Sequence, residues 1–319
     1  MELRHLRCFL AVAEELHFAR AAERLHIEQS PLSRTIKELE ADLGAVLFER
    51  SSRSTRLTPA GAMLLSYVPR IFSSLEQARN VVKSVAAGFQ WQLRVAFSDG
   101  ITPYRLSAIL AQCREEDPDV DIRLYEVPLA NQIKGLRDDL YDVGFAQSSQ
   151  VGDGILAEHA WSDPLVIAIP KRHPLLSYKR VPLHELIRYP LVMRDPRVSE
   201  GNYRQVMAVL NGVGYGEPLI AEEATTMELL FEVVAAGYAL ALVGASQMNT
   251  SQNLDVTHRP LAGRAAALTT YLLRVDKPPS ATLGRFIERV GSLQNENLQA
   301  TSSPHIGPTT SSPTSESIT

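Results

Sequence analysis

The chain has 319 residues, 45% of them hydrophobic and 21% charged, the profile of a globular protein with more than one domain. A formal net charge of -4 and a pI of about 6.1 supply no global cationic field, so any nucleic-acid contact must come from a local cluster. Charges thread the opening "MELRHLRCFLAVAEELHF" and speak against a secretory leader, while the most apolar run, 229–245, is broken by Glu232 and Gly237 and is too interrupted for a membrane span.

In chain order, residues 2–14 predict a helix with Leu3, Leu6, Phe9, Leu10 and Ala13 on one face. A shorter helix follows from about Phe18 to Leu25, where alanines allow close helix approach. "HIEQ" predicts a turn plugged by Ile27. The third helix starts at Ser30-Pro31 or nearer Glu28 and ends at Gly44. Its stripe Leu32, Ile36, Leu39 and Leu43 has the period of a buried face, and Ser30, Ser33, Arg34 and Lys37 share that period on the opposite side. Glu38, Glu40 and Asp42 lie towards its C-terminal end. "VLFERSSRSTRLT" then gives two short extended pieces around a polar tip at 51–55, completing a winged helix-turn-helix order.

Thr58-Pro59 begins a long helix with a cap and a first-turn proline, and Gly88 closes it. Leu64, Val68, Ile71, Leu75, Ala78, Val82 and Val85 alternate spacings of four and three. Such a seam fits a coiled-coil dimer or a single helix packed on its own domain, with a kink expected at Pro69. From Trp91 strands alternate with helices: strand 93–97, helix 102–116, strand 121–127, helix 130–140, then "DVGFA". A second set runs from "DPLVIAIP" (163–170) through "YPLVM", a helix at 202–210, "PLIAEE", a helix at 226–236 and "ALALVG". The strand "LTTYLLRV" and a helix ending near Leu293 follow. This pattern predicts α/β units with a parallel sheet, in two lobes around a cleft. From Thr301 the chain is rich in Ser, Thr and Pro, and a disordered tail is expected over 297–319. The expected division is 1–58, the winged helix-turn-helix; 59–89, the linker helix; and 90–296, the two-lobed α/β domain. Within the last, lobe I is 90–162 with 266–296 and lobe II is 163–265.

Taken together, "AAERLH", the Gln29–Gly44 block and "LFERSSRSTRLTPAG" resemble the N-terminal domain of LysR-type transcriptional regulators, in order and with unbroken spacing. A looser resemblance, in "YDVGFA" and "VVAAGYALALV", extends to about residue 293. The resemblance implies a winged helix-turn-helix, a linker helix and a two-lobed α/β effector domain. Its implied partners are double-stranded promoter DNA, a small effector of aromatic or carboxylate character, a second copy in a homodimer or homotetramer, and RNA polymerase.

The residue chemistry agrees. A helix entering the major groove needs short hydroxyls and Arg or Lys. Ser33 and Arg34 suit base edges, as does Gln29 for adenine, with Ser30 and Pro31 at the same end of the helix. Lys37 suits a phosphate, and Arg50, Arg53 and Arg56 flank the wing tip for phosphates or a narrow minor groove. For the effector, the resemblance implies Ser98, Gly100 and Thr102 after the first strand, then Leu129, Gln147, Gly201 and Asn202, and finally Thr225 and Thr226. Helix N-termini there favour an anionic ligand, although Asp99 is an acid in the same loop.

An enzyme is not expected. The chain has no GxSxG, P-loop or paired-histidine motif, and "NGVGYGEP" follows a helix rather than a strand. His5, His17 and His26 suit packing or capping. Cys8 and Cys113 lie far apart with no ligand partners, so neither a metal, a cofactor nor a disulfide is implied, and a cytoplasmic location is expected.

Overall fold

The computed structural model describes residues 1–50, 55–101, 103–212, 217–250, 253–263 and 266–302. Arg53, Thr102 and most of the expected tail lie outside them. The chain divides into two compact units, 1–86 and 87 onward.

The first unit opens with α1 (Leu3–Glu15), α2 (Phe18–Leu25) and α3 (Gln29–Leu43). Of the two starts open to α3, Glu28 is the one adopted: it is the N-cap, and Pro31 falls at the third helical position. Leu32, Ile36 and Leu39 are fully buried against Leu6, Phe9 and Val12 of α1. Leu43 is 40% exposed because the stripe runs out at the helix end, and Ile27 faces solvent instead of plugging the turn. His17 caps α2 through its ring, accepting from the Arg20 N–H. The wing is an antiparallel pair, β1 (Phe48–Arg50) and β2 (Thr55–Leu57), with Phe48 opposite Leu57. Phe48 ties it to the helices through ring contacts to Phe9 at 5.4 Å and Phe18 at 5.9 Å.

Thr58 joins wing to helix: its hydroxyl donates to the Val46 carbonyl and accepts from the Gly61 N–H. At Gly61 a Cβ would collide with the Leu47 carbonyl, so only glycine allows this approach. Helix α4 (Pro59–Ala86) continues through Pro69. Val68 is fully buried and Leu64, Leu65, Ile71 and Phe72 pack on the unit's core, whereas Val81, Val82 and Val85 are exposed. The seam therefore has two fates: its first half belongs to its own domain, and its second half is left uncovered within this chain's first unit.

The second unit consists of two α/β lobes. In lobe I, β3 (Trp91–Phe97) lies between β4 (Val120–Glu126) and β5 (Val143–Ala146), all parallel, with α5 (Pro103–Glu116) and α6 (Leu129–Arg137) as crossovers. Strand β6 (Ile155–Pro170) is far longer than expected. Lobe II adds α7 (Leu183–Leu186), β7 (Leu191–Arg194), α8 (Glu200–Asn211), β8 (Ile220–Ala224), α9 (Met227–Ala235), β9 (Ala241–Gly244), α10 (Ala245–Thr250) and β10 (Val256–Pro260). The chain returns along β11 (Ala267–Val275) and ends in α11 (Ala281–Ser302), which continues beyond Leu293.

The sheet is mixed rather than parallel throughout. β6 pairs antiparallel with β9, β10 and β11, and β11 antiparallel with β5. The reason is topological: β6 leaves lobe I, β11 comes back to it, and neighbours travelling in opposite senses pair antiparallel. Helix α11 is held to lobe I by Arg289, which bonds Glu116 and Asp117, with Arg285 also on Asp117.

Candidate nucleic-acid interface and effector cleft

On α3, Gln29, Ser30, Pro31, Arg34 and Lys37 are exposed and Ser33 is half-buried, opposite the buried leucine stripe. Arg34 is 84% exposed in its side chain, and its Nε donates to Glu38 Oε1 at 3.0 Å. An exposed pair one turn apart is worth at most about 1 kcal/mol, so it pre-orients the guanidinium without sequestering it. The acids near this face have structural employment. Glu38 also lies 3.7 Å from the buried His5 ring, and Glu40 accepts from the Leu47 and Phe48 N–H groups at the start of the wing. Arg56 is exposed on β2, and the Arg50 backbone lies in β1 opposite Thr55.

The cleft lies between the lobes and encloses about 1100 Å³, at the upper end of ordinary small-molecule sites. Of the expected residues, Ser98, Gly100, Thr225 and Thr226 line it. Thr226 also caps α9, accepting from the Leu229 N–H at 3.1 Å. Apolar walls come from Phe97, Ile101, Leu106 and Leu124 of lobe I and Met227 and Phe231 of lobe II.

Leu129, Gln147, Gly201 and Asn202 do not line the cleft. Leu129 is buried in the α6 core. The other three form a latch between lobes, organised by the acid of the loop after β3. Asp99, buried and at a left-handed φ of 64°, accepts from the Gly201 N–H at 2.8 Å and the Gln147 N–H at 3.0 Å. The Asn202 amide N–H also points to it. Asn202 Nδ2 donates to Gln147 Oε1 at 2.8 Å, and Gln205 bridges the Gln147 and Thr269 carbonyls. At Gly201 a Cβ would lie 2.6–2.7 Å from Gln147 backbone and the Asp99 carboxylate, so the helix start approaches this closely only as glycine.

The N-terminus of α8 is thus already occupied by the chain's own carboxylate, and an anionic ligand is turned away from it. Burial pushes the Asp99 carboxyl above its ordinary range, against the opposing pull of its backbone donors. Ser98 is part of the same network. Its hydroxyl lies 3.0 Å from Asp99 Oδ2 and 3.2 Å from Gln132 Oε1, so its single proton is already committed. Gln132, fully buried, in turn donates to the Ala96 and Phe145 carbonyls at the ends of β3 and β5.

Arg194 was missed. It closes β7, lines the cleft and is only 7% exposed. Its Nε and Nη2 donate to Ser199 Oγ, while Nη1 has no hydrogen-bond partner despite being buried. Burial lowers its hold on its proton, opposed by Glu126, Glu228, Asp99 and Asp195 acting through space.

A winged helix-turn-helix with an exposed polar face on its third helix, joined in one chain to a two-lobed domain with a cleft of ligand size, defines a ligand-binding transcription factor. Residues 3–62 match the bacterial regulatory helix-turn-helix protein family of lysR type, and residues 86–294 match the LysR substrate binding domain. The chain belongs to the LysR family of transcriptional regulators. It is 33% identical over 261 residues to the HTH-type transcriptional regulator AlsR of Bacillus subtilis, covering 82% of this chain and 86% of that protein. It is 31% identical over 274 residues to BenM of Acinetobacter baylyi, covering 85% and 89%. Full-length CbnR complexed with its target DNA superposes with a TM-score of 0.72 at 28% identity, over 92% of this chain and 99% of that one.

The family and these relatives are regulators, and the chain is not an enzyme. Among the described residues no group of His, Cys, Asp and Glu could hold a metal, and no helix is long and apolar enough to cross a membrane.

Proposed function

We propose that this regulator switches transcription at its target promoters when a small molecule of aromatic or carboxylate character enters the cleft between its lobes. The observation that carries this reading is the cleft itself: about 1100 Å³, lined by polar groups and by apolar walls from both lobes. On this reading Gln29, Ser30, Pro31, Ser33, Arg34 and Lys37 face the major groove, and the wing arginines Arg50, Arg53 and Arg56 face the flanking backbone. Ser98, Gly100, Thr225 and Thr226 contact the effector, joined by Arg194.

The exposed valines Val81, Val82 and Val85 supply the surface for a homodimer, which presents two recognition helices to a two-fold site. Pairing of dimers into a tetramer, contact with RNA polymerase and a cytoplasmic location complete the proposal. The test combines genome-wide footprinting of the purified protein with DNA-binding titrations, adding the metabolites handled by the genes beside the bound sites. A metabolite that changes promoter affinity in the wild type but not in Leu124→Trp, which fills the cleft from an exposed wall position, supports the reading. A response untouched by Leu124→Trp overturns it.

A further inference from the structure

The lining of the cleft is unevenly charged. Its one cation among the described residues, Arg194, is buried, and its three carboxylates, Glu126, Glu228 and Glu232, are exposed. Glu232 accepts from Asn253 Nδ2 at 3.1 Å. Glu126 and Glu228 have no side-chain hydrogen bond or ion pair among the described residues, and both act through space on Arg194. At the other pole the guanidinium spends Nε and Nη2 on a neutral hydroxyl and leaves Nη1 unmatched. A buried donor without an acceptor is costly, and a guanidinium is built to receive a planar two-oxygen acceptor.

Each simple ligand class fails one pole. An anion satisfies Arg194 but joins a lining that already carries two excess negative charges. A cation relieves the glutamates and leaves Arg194 unmatched. A neutral apolar molecule satisfies neither. We propose that the effector is a zwitterion, with a carboxylate-class head seated on Arg194, a cationic nitrogen directed at Glu126 and Glu228, and an apolar body between Leu106, Leu124, Met227 and Phe231. This rests on the cleft being the effector site. It excludes the helix N-terminus of α8 as the anion's seat, because Asp99 already fills it.

The test uses the full-length protein, with thermal-shift screening and calorimetry on matched probes. These are the common amino acids and ω-amino carboxylates, their N-acetyl derivatives as anions, and their decarboxylated amines as cations. At least one zwitterion should bind at or below about 10 mM, at least about tenfold more tightly than its own N-acetyl and decarboxylated forms. Arg194→Lys should weaken that zwitterion at least about tenfold. Glu228→Gln, at an exposed position that tolerates change, should weaken it about two- to fivefold and leave the N-acetyl form unweakened. The proposal is overturned if no zwitterion binds, or if an anion or neutral probe outcompetes its zwitterionic match. Binding that is lost in Leu124→Trp but indifferent to Glu228→Gln also overturns it while sparing the cleft reading. Binding that survives both Leu124→Trp and Arg194→Lys removes the cleft reading itself.

Discussion

Arg34 and Asp99 illustrate two opposite uses of a charged side chain. Arg34 stands in solvent with a weak intrahelical partner, so DNA can recruit it at little cost. Arg34→Ala should therefore weaken the specific site by about 1–3 kcal/mol and leave random duplexes nearly unaffected. Equal losses on both duplexes in a binding titration would make Arg34 a backbone contact. Lys37→Ala should weaken both and reduce the log–log salt slope by about 0.9 for one lost phosphate; an unchanged slope removes that contact.

Asp99 is the inverse case, a buried acid whose carboxyl is pushed upward by burial. A raised carboxyl binds its proton more tightly in the folded state, so its contribution to stability is greatest at acid pH and declines as pH rises through the folded value. The melting-temperature gap between wild type and Asp99→Asn, followed from about pH 4 upward, should shift against the wild type. A gap moving the other way would mean that the backbone donors from Gln147 and Gly201 outweigh burial.

At the scale of elements, α4 separates two roles that its heptad spacing merges. Ile71 is partly buried and packs on the core of the first unit, so Ile71→Asp should lower that unit's melting temperature by replacing an apolar contact with a charge. Val82 is 69% exposed, so Val82→Asp should leave folding intact and shift the sedimenting species to a monomer. Persistence of the oligomer would place the contact elsewhere.

What was legible in the sequence follows the same line. Elements that bury one periodic face against near neighbours, such as α1 and α3, show their period locally, and β3 and β5 show as short apolar runs. The first half of β6 did not: Glu158, His159 and Ser162 break the pattern, and its strand character comes from β11, more than a hundred residues away. Ser98, Gly100, Thr225 and Thr226, which line the cleft, came from the family resemblance and not from any local period. Arg194 follows the apolar run "YPLVM" directly, and nothing local in the sequence marks it as a buried cation. Asp99 was visible as an acid, but its seat on α8 depends on a contact across 102 residues.

For the whole molecule, the proposed switch requires the ligand to contact the two lobes differently in two arrangements, since equal contacts shift nothing. A coupling of about 1–3 kcal/mol gives a change in promoter affinity of roughly 5- to 150-fold. Thr225→Val should keep DNA affinity without ligand and shrink that ratio. A ratio equal to wild type would take Thr225 out of the effector contacts.

The two strands that pass between the lobes set the mechanics of any such change. β6 and β11 run antiparallel and hydrogen-bonded through the junction, with a register shift between Thr270 and Tyr271 opposite Trp161 and His159. An irregularity of this kind bends the strand and increases its local twist. Any turn of one lobe against the other must therefore twist this ribbon and either keep or break the Gly201 contact to Asp99.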